Sequence, residues 1–179
     1  MHVHTIGIVC LSSGSLGEPY MRHERMIGEK RLAEMGIRLR YLPHALAGRE
    51  YIQNHPEKRA EDLLTAFRDP EIDMILCAIG GDDTYRLAPY LFADDAIQKA
   101  AAGSHKIFLG FSDTTLNHLM LHKIGYPTYY GQAFLPDVCE LCVRAWTVRV
   151  SENHGRLMSF VFHWWWMDCL CLRLRGVLL

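Results

Sequence analysis

The sequence has no excess of charge of either sign and no long apolar segment. Its 19 Lys and Arg residues nearly balance 20 Asp and Glu residues, which leaves a formal net charge of -1 over 179 residues. A balanced charge favours neither a nucleic-acid polyanion nor an anionic membrane as a partner. No run approaches the ~18 apolar residues that a spanning helix needs, and the N-terminus has no signal-like segment. We therefore expect a cytoplasmic protein that binds neither membrane nor nucleic acid.

The sequence also lacks the features of a disulfide framework and of a zinc site. Six cysteines in a chain of expected cytosolic location are predicted to be reduced thiols. Cys10 and Cys77 lie in apolar runs, which predicts core positions. The pairs Cys139–Cys142 and Cys169–Cys171 together resemble a four-thiolate site, but the second spacing is short and no glycine knuckle accompanies it. We predict no metal and no cofactor.

Apolar, strand-like runs alternate with helix-like segments along the first 140 residues. This alternation is typical of βαβ units, which form a parallel sheet with helices on its faces. The pattern predicts strands over 5–11, 37–42, 74–79, 106–109 and 128–130. It predicts helices over 20–35, 56–68, 93–102 and 114–124, with a further short helix that ends at residue 91. Residues 12–15 are expected to form a flexible loop and residues 43–55 a long connection. The sequence thus predicts an α/β domain over residues 1–141.

Two loops at the ends of predicted strands carry the candidate chemistry. Gly80-Gly81-Asp82-Asp83-Thr84 follows the third strand, and Gly110-Phe111-Ser112-Asp113-Thr114-Thr115 follows the fourth. Ligands of open α/β sheets bind outside the carboxyl ends of the strands. A serine on a sharp turn between a strand and a helix occupies a typical position for a nucleophile. Ser112 is therefore the candidate nucleophile.

The glycine pair predicts a second part of the same site. Glycines let the backbone approach a ligand closely and adopt positive φ. We expect the N–H groups of Gly81 and Asp113 to form an oxyanion hole, and we assign Gly80 and Asp82 to substrate binding. In the alternative interpretation both loops are ordinary tight turns, because Ser, Asp and Thr are common caps of helix N-termini. The cap residues would then be Asp83 or Thr84 in one loop and Ser112 in the other.

The segments 75–91 and 106–115 closely resemble the LD-carboxypeptidase and microcin C immunity family of serine peptidases. The likeness continues through Glu18-Pro19-Tyr20 and residues 51–67 to Tyr130-Gly131-Gln132-Ala133, and covers about residues 5–140. It implies a flavodoxin-like or Rossmann-like parallel sheet, a Ser112 nucleophile and oxyanion donors from the backbone of Gly81 and Asp113. Family members cleave the bond between an L- and a D-amino acid in murein peptides, or hydrolyse a peptidyl- or aminoacyl-nucleotide antibiotic. The implied partner is therefore a small peptide or a peptidyl-nucleotide.

The resemblance also implies a general base, a His oriented by a Glu, from a C-terminal domain. No such pair is evident in this sequence. His118 and His122 are four residues apart, which predicts an exposed helix face, and Glu152 and His154 are too close together to resemble the family's pair. We expect the C-terminal catalytic domain to be absent and the chain to be inactive alone. The remaining candidate bases lie in connections, where we expect solvated side chains: His44, His55 and His105.

Residues 142–179 do not follow the family pattern. They include Trp164-Trp165-Trp166, but charged residues interrupt the apolar run well below spanning length, and the aromatic residues do not alternate with basic ones as in a nucleic-acid groove. We interpret the segment as an irregular tail that is translated out of the family frame. Two alternatives stay open, a non-catalytic binding or immunity module and an interaction protein that uses its Trp-rich tail. A homodimer also stays open.

Overall fold

The computed structural model describes residues 3–140, which contain one parallel β-sheet. The strand order is β2-β1-β3-β4-β5, and each neighbouring pair is parallel. This is the strand order of flavodoxin-like, doubly wound sheets, so the predicted α/β class is confirmed. The strands are Thr5–Val9 (β1), Arg38–Tyr41 (β2), Met74–Cys77 (β3), Ile107–Gly110 (β4) and Tyr129–Tyr130 (β5).

The sequence of each strand reflects its place in the sheet. The inner strands β1, β3 and β4 are buried at every residue, because helices cover both faces of a parallel sheet. Their sequences are therefore continuous apolar runs rather than alternating ones. The edge strand β2 instead alternates exposed and half-buried side chains. Its pattern of Arg38, Leu39, Arg40 and Tyr41 fits that position.

In the described residues, six α-helices connect the strands and form the two outer layers. Apolar side chains from α3, α5 and α6 pack on one face of the sheet, where Leu63, Ile97 and Leu121 are buried. Leu32 from α1 and Phe134 pack on the other face. The helices are Arg22–Glu34 (α1), Arg49–Asn54 (α2), Pro56–Arg68 (α3), Ala88–Leu91 (α4), Ala96–Ala102 (α5) and Thr115–Lys123 (α6). Short 3₁₀ turns lie at Ser15–Gly17, Pro19–Met21, Thr84–Leu87 and Ser112–Thr114, and a π turn lies at Phe134–Val138.

The prediction of a connection over residues 43–55 is wrong, because it contains α2. This helix follows Gly48, whose φ is 87°, and Ile52 is its one buried residue. A six-residue helix with a single buried side chain shows no repeating apolar stripe in the sequence. The other predicted elements are present, with ends that differ by a few residues.

The cysteines in the described part of the chain are buried free thiols. Cys10 and Cys77 are buried free cysteines, as predicted, and burial raises the pKa of Cys77 to about 12. Cys139 is also a buried free cysteine. No helix within residues 3–140 is long and apolar enough to cross a bilayer. The predicted tail of residues 142–179, with its tryptophans and cysteines, lies outside the described residues.

Candidate active site

Ser112 lies on a strained turn between β4 and α6. Its φ is 64°, the one positive value for a residue other than glycine in the described part of the chain. A residue with a side chain pays about 1–3 kcal/mol to hold such a backbone conformation, so surrounding contacts must maintain it. Ser112 begins a 3₁₀ turn that continues directly into α6. This is the strand–turn–helix geometry that mounts a nucleophile in serine hydrolases.

Local contacts explain why the sequence turns sharply at this point. The Thr114 hydroxyl donates a 2.7 Å hydrogen bond to the Phe111 carbonyl, and the Thr115 hydroxyl donates to the Ser112 carbonyl. Gly110 passes close to its neighbours, since a Cβ atom there would lie 2.7 Å from Thr114 Oγ1 and 2.8 Å from Cys77 Sγ. Two threonines and a glycine thus hold the turn. Neither the turn that begins at Ser112 nor α6 has a side-chain cap, and their N-cap residues are Phe111 and Thr114.

The Gly80-Gly81 loop lies against Ser112, as the strand order requires. A Cβ atom on Gly80 would be 2.9 Å from Ser112 Cβ and 3.0 Å from Ser112 Oγ. A Cβ atom on Gly81 would collide with Ser12 Oγ and lie 2.8 Å from Ser13 N. Only glycine therefore fits at either position without displacing a neighbour. Asp82 is exposed beside them.

The loop after β1 is a third part of the site, which the sequence interpretation described only as flexible. Ser12 is buried and its hydroxyl donates a 2.5 Å hydrogen bond to the Asp113 carboxylate. Ser13 N–H donates to the Gly80 carbonyl at 3.2 Å. The Asp113 carboxylate also accepts the Thr84 N–H at 3.0 Å. The ends of β1, β3 and β4 are therefore joined through one carboxylate.

Asp83 binds a buried arginine rather than capping a helix. Arg59, on α3, is fully buried, and its two terminal nitrogens lie 2.7 and 3.1 Å from the Asp83 carboxylate oxygens. The same guanidinium donates to the Leu11 carbonyl at 3.3 Å. No side-chain cap is present at the turn that begins at Thr84. Arg59 precedes Leu63 by four residues and so lies on the same buried face of α3. That position in the apolar pattern is the sequence signal that indicates a buried arginine.

His118 is buried, so the prediction of an exposed helix face is wrong for it. Its ring packs edge-on against Phe108, with the centroids 5.2 Å apart. Nε2 lies 3.0 Å from the Gly110 carbonyl, and because a carbonyl only accepts, Nε2 must carry the hydrogen. Burial lowers the pKa of His118. The imidazole is therefore neutral and turned toward the sheet, while His122 is exposed as predicted.

His44 is paired rather than solvated. Its Nδ1 lies 2.9 Å from Asp62 Oδ1, and its backbone N–H donates to Asp62 Oδ2 at 3.0 Å. A carboxylate-oriented imidazole resembles two thirds of a catalytic triad. However, it follows β2, and three strand spacings of ~4.8 Å put that strand about 14 Å from β4. His44 is too far from Ser112 to act as its base.

The described residues thus bring together Ser112, on a sharp turn after β4, and the loops that follow β1 and β3. Within residues 3–140, no imidazole or carboxylate is hydrogen-bonded to the Ser112 hydroxyl. The carboxylate of Asp113 binds Ser12 and Thr84 instead, and the His118 ring binds Gly110. This arrangement can present a serine nucleophile beside a glycine loop at the end of the sheet.

The sequence profile of the LD-carboxypeptidase N-terminal domain matches residues 6–131. The chain belongs to this family. It is 34% identical over 110 residues to a probable murein peptide carboxypeptidase of Bacillus subtilis, a match that covers 60% of this chain and 32% of the relative. It is also 34% identical over 85 residues to the microcin C7 self-immunity protein MccF of Escherichia coli, covering 47% of this chain and 23% of the relative.

Solved structures show the same fold. An MccF-like protein from Streptococcus pneumoniae, crystallised in complex with AMP, is 61% identical with a TM-score of 0.75. The microcin C7 self-immunity protein MccF in complex with aspartyl sulfamoyl adenosine is 27% identical with a TM-score of 0.65. Both matches cover 78% of this chain and 40% of the solved chain. The chain therefore spans less than half the length of these relatives.

Proposed function

We propose that this chain is the nucleophile-bearing part of a serine hydrolase that works by acyl transfer. The left-handed backbone of Ser112 at the end of β4, in contact with Gly80, is the observation that carries the proposal. In the proposed reaction, Ser112 Oγ attacks the substrate carbonyl carbon, and the N–H groups of Gly81 and Asp113 stabilise the resulting oxyanion. Collapse of this intermediate expels the leaving group and yields an acyl-enzyme, which water then hydrolyses.

The attack needs a base that accepts the proton of the Ser112 hydroxyl. No group within residues 3–140 is hydrogen-bonded to that hydroxyl. The family resemblance implies a Glu and a His from a C-terminal domain. With no such base within residues 3–140, we propose that Ser112 is acylated only when hydroxide removes its proton and that turnover near neutral pH is slow.

Two substrate classes fit the family, a murein L,D-peptide and a peptidyl- or aminoacyl-nucleotide. The similarity to a protein crystallised with AMP, at 61% identity, supports the nucleotide class. We assign Gly80 and Asp82 to substrate contacts because they flank the proposed oxyanion donor Gly81. A cytoplasmic location and a homodimer stay predictions.

A non-catalytic binding or immunity module is the second candidate function. The AMP complex of the MccF-like protein from Streptococcus pneumoniae favours this candidate, because a protein can bind a nucleotide without catalysing a reaction. Such a module would bind AMP or an aminoacyl sulfamoyl adenosine equally well with and without the Ser112 hydroxyl. The two functions therefore differ in the covalent chemistry of one side chain.

The test combines covalent labelling with turnover, using the full chain and its Ser112→Ala variant. A fluorophosphonate should label Ser112, detected by mass spectrometry, at a rate that rises about tenfold per pH unit because hydroxide is the base. Hydrolysis of murein tetrapeptide near neutral pH should not exceed that of Ser112→Ala. Absence of Ser112 labelling at any pH would contradict the hydrolase proposal. Rapid, Ser112-dependent turnover near neutral pH would contradict the proposed need for hydroxide, and binding of AMP without labelling would favour the binding module.

A further inference from the structure

The tyrosine that ends β5 contacts the nucleophile turn from the side opposite the glycine loop. Tyr130 Oη accepts a hydrogen bond from the Ser112 N–H at 3.3 Å. β5 pairs with β4, and Tyr130 is in register with Gly110. Since β3 and β5 lie on opposite sides of β4, Ser112 stands between the Gly80-Gly81 loop and Tyr130.

Within residues 3–140, the phenolic hydrogen of Tyr130 has no well-formed acceptor. The single hydrogen of the Thr115 hydroxyl is donated to the Ser112 carbonyl. Thr115 Oγ1 lies 3.5 Å from Tyr130 Oη, beyond the 2.5–3.0 Å range of a well-formed bond between two hydroxyls. Tyr130 therefore accepts from the backbone of Ser112 and keeps a donor available beside the nucleophile.

The phenol is held in place but remains accessible. The rings of Tyr130 and His118 lie 5.5 Å apart and tilted, and His118 is itself fixed by Gly110 and Phe108. Tyr130 is nevertheless 59% exposed. A donor that is fixed on one side and open on the other is suited to contact a bound ligand, because little side-chain freedom is lost on binding.

The position of Tyr130 determines which part of a substrate it can contact. A substrate carbonyl oxygen directed toward the N–H groups of Gly81 and Asp113 lies on the β3 side of Ser112. The side of Ser112 opposite the oxyanion donors faces β5 and Tyr130, and we place the leaving side of the substrate there. Both proposed substrate classes carry an anion on the leaving side of the scissile bond, a terminal carboxylate in an L,D-peptide and a phosphate in a peptidyl-nucleotide.

We propose that Tyr130 is a specificity-determining residue, whose phenolic hydrogen is donated to the anionic group on the leaving side of the substrate. The inference rests on the proposed function, since it requires acyl transfer at Ser112. The phenol keeps its proton throughout and takes no part in bond breaking. A hydrogen bond to a charged acceptor is stronger than one to a neutral acceptor, so about a tenfold contribution of the phenol in favour of an anionic leaving group is expected.

The test compares two thioesters of N-benzoyl-L-alanine that differ in one group. One has thioglycolate as its leaving thiol, which carries a carboxylate, and the other has the neutral thioglycolamide. Acylation of Ser112 is measured by intact mass at alkaline pH, where hydroxide is the base. The ratio of the thioglycolate rate to the thioglycolamide rate should be about tenfold higher in the full chain than in Tyr130→Phe. Comparing the ratios of the two proteins removes the intrinsic difference between the two leaving thiols.

The ratio of the two acylation rates is the decisive readout. A general disturbance of the Ser112 turn slows acylation by both esters equally, so it does not change the ratio. Tyr90→Phe is the matched control, since Tyr90 is a half-exposed tyrosine on α4, and it should keep the preference of the unmodified chain. An equal rate ratio in Tyr130→Phe and in the unmodified chain overturns the inference. Absence of any Ser112 adduct with either ester would instead overturn the proposed function.

Discussion

The Ser12 hydroxyl donates a 2.5 Å hydrogen bond to the Asp113 carboxylate across 101 positions of sequence. The acceptor oxygen, Oδ2, also receives the Thr84 N–H at 3.0 Å. Loops that follow β1, β3 and β4 therefore meet at a single oxygen atom. Since Asp113 directly follows Ser112, the same carboxylate fixes the backbone that we assign to the oxyanion hole.

Asp113→Asn should destabilise the fold and slow labelling of Ser112. The amide oxygen is a weaker acceptor than the carboxylate oxygen that receives both the Ser12 hydroxyl and the Thr84 N–H. A loss of about 1–2 kcal/mol in the free energy of unfolding is expected, measured by urea denaturation. Asp82→Asn is the stability control, because Asp82 is exposed beside the same loops. An equal effect of the two substitutions would show that the three-loop contact contributes nothing.

Ser112→Gly should be more stable than Ser112→Ala. Both variants lose the hydroxyl, but alanine keeps the strain of a φ near 64° while glycine relieves it. The left-handed penalty of about 1–2 kcal/mol exceeds the 0.5–1 kcal/mol entropic cost of glycine. The expected difference is about 1 kcal/mol in urea unfolding. If alanine proves as stable as glycine, the turn is not strained.

Gly80→Ala should slow fluorophosphonate labelling of Ser112 by about tenfold or more, since small displacements of a reacting group have large effects. The new methyl group would lie 2.9 Å from Ser112 Cβ and 3.0 Å from its Oγ, so the nucleophile must move. Gly103→Ala is the matched control, because the nearest atom to a Cβ there is 3.7 Å away. Labelling of Gly103→Ala should equal that of the unmodified chain. Unchanged labelling of Gly80→Ala would place Gly80 outside the site.

Local patterns in the sequence predicted the strands, most helices and the Ser112 turn, because each depends on neighbouring residues. The continuous apolar runs of β1, β3 and β4 identify buried parallel strands, and a small-residue turn after a strand identifies Ser112. The burial of His118 and the pairing of His44 with Asp62 were not predicted, since they depend on packing between distant segments. The same is true of the bond from Ser12 to Asp113. Periodicity carries no information about which polar groups meet across strand ends.

Asp83→Asn should be more damaging than Arg59→Met. Asp83→Asn leaves the fully buried guanidinium of Arg59 without its carboxylate partner, whereas methionine removes the charge and fills similar space. Leaving a fully buried charge without its partner costs about 3–5 kcal/mol. The Asp83 carboxylate left by Arg59→Met is instead partly exposed and keeps Arg86 at 3.4 Å. Urea denaturation of both single variants and of the double variant gives the comparison. A double variant no more stable than Asp83→Asn would mean that the buried charge is not the cause.

The neutral, buried His118 should make the fold sensitive to mild acid. Burial lowers the pKa of His118 in the folded state below its ordinary value of 6.5. As pH falls through 6.5, the unfolded chain binds a proton at this position before the folded chain does, so the free energy of unfolding decreases. The loss ends once the pH is below the folded-state pKa, and each unit between the two pKa values is worth about 1.4 kcal/mol.

His118→Gln should reduce this loss of stability between about pH 7.5 and about pH 5. Glutamine does not titrate, and its amide can donate to the Gly110 carbonyl in place of Nε2. His122→Gln is the control, because His122 lies one turn further along α6 and is exposed. Urea unfolding at the two pH values gives the slope for each protein. A slope that falls equally in both variants, or in neither, would mean that His118 does not set the acid response.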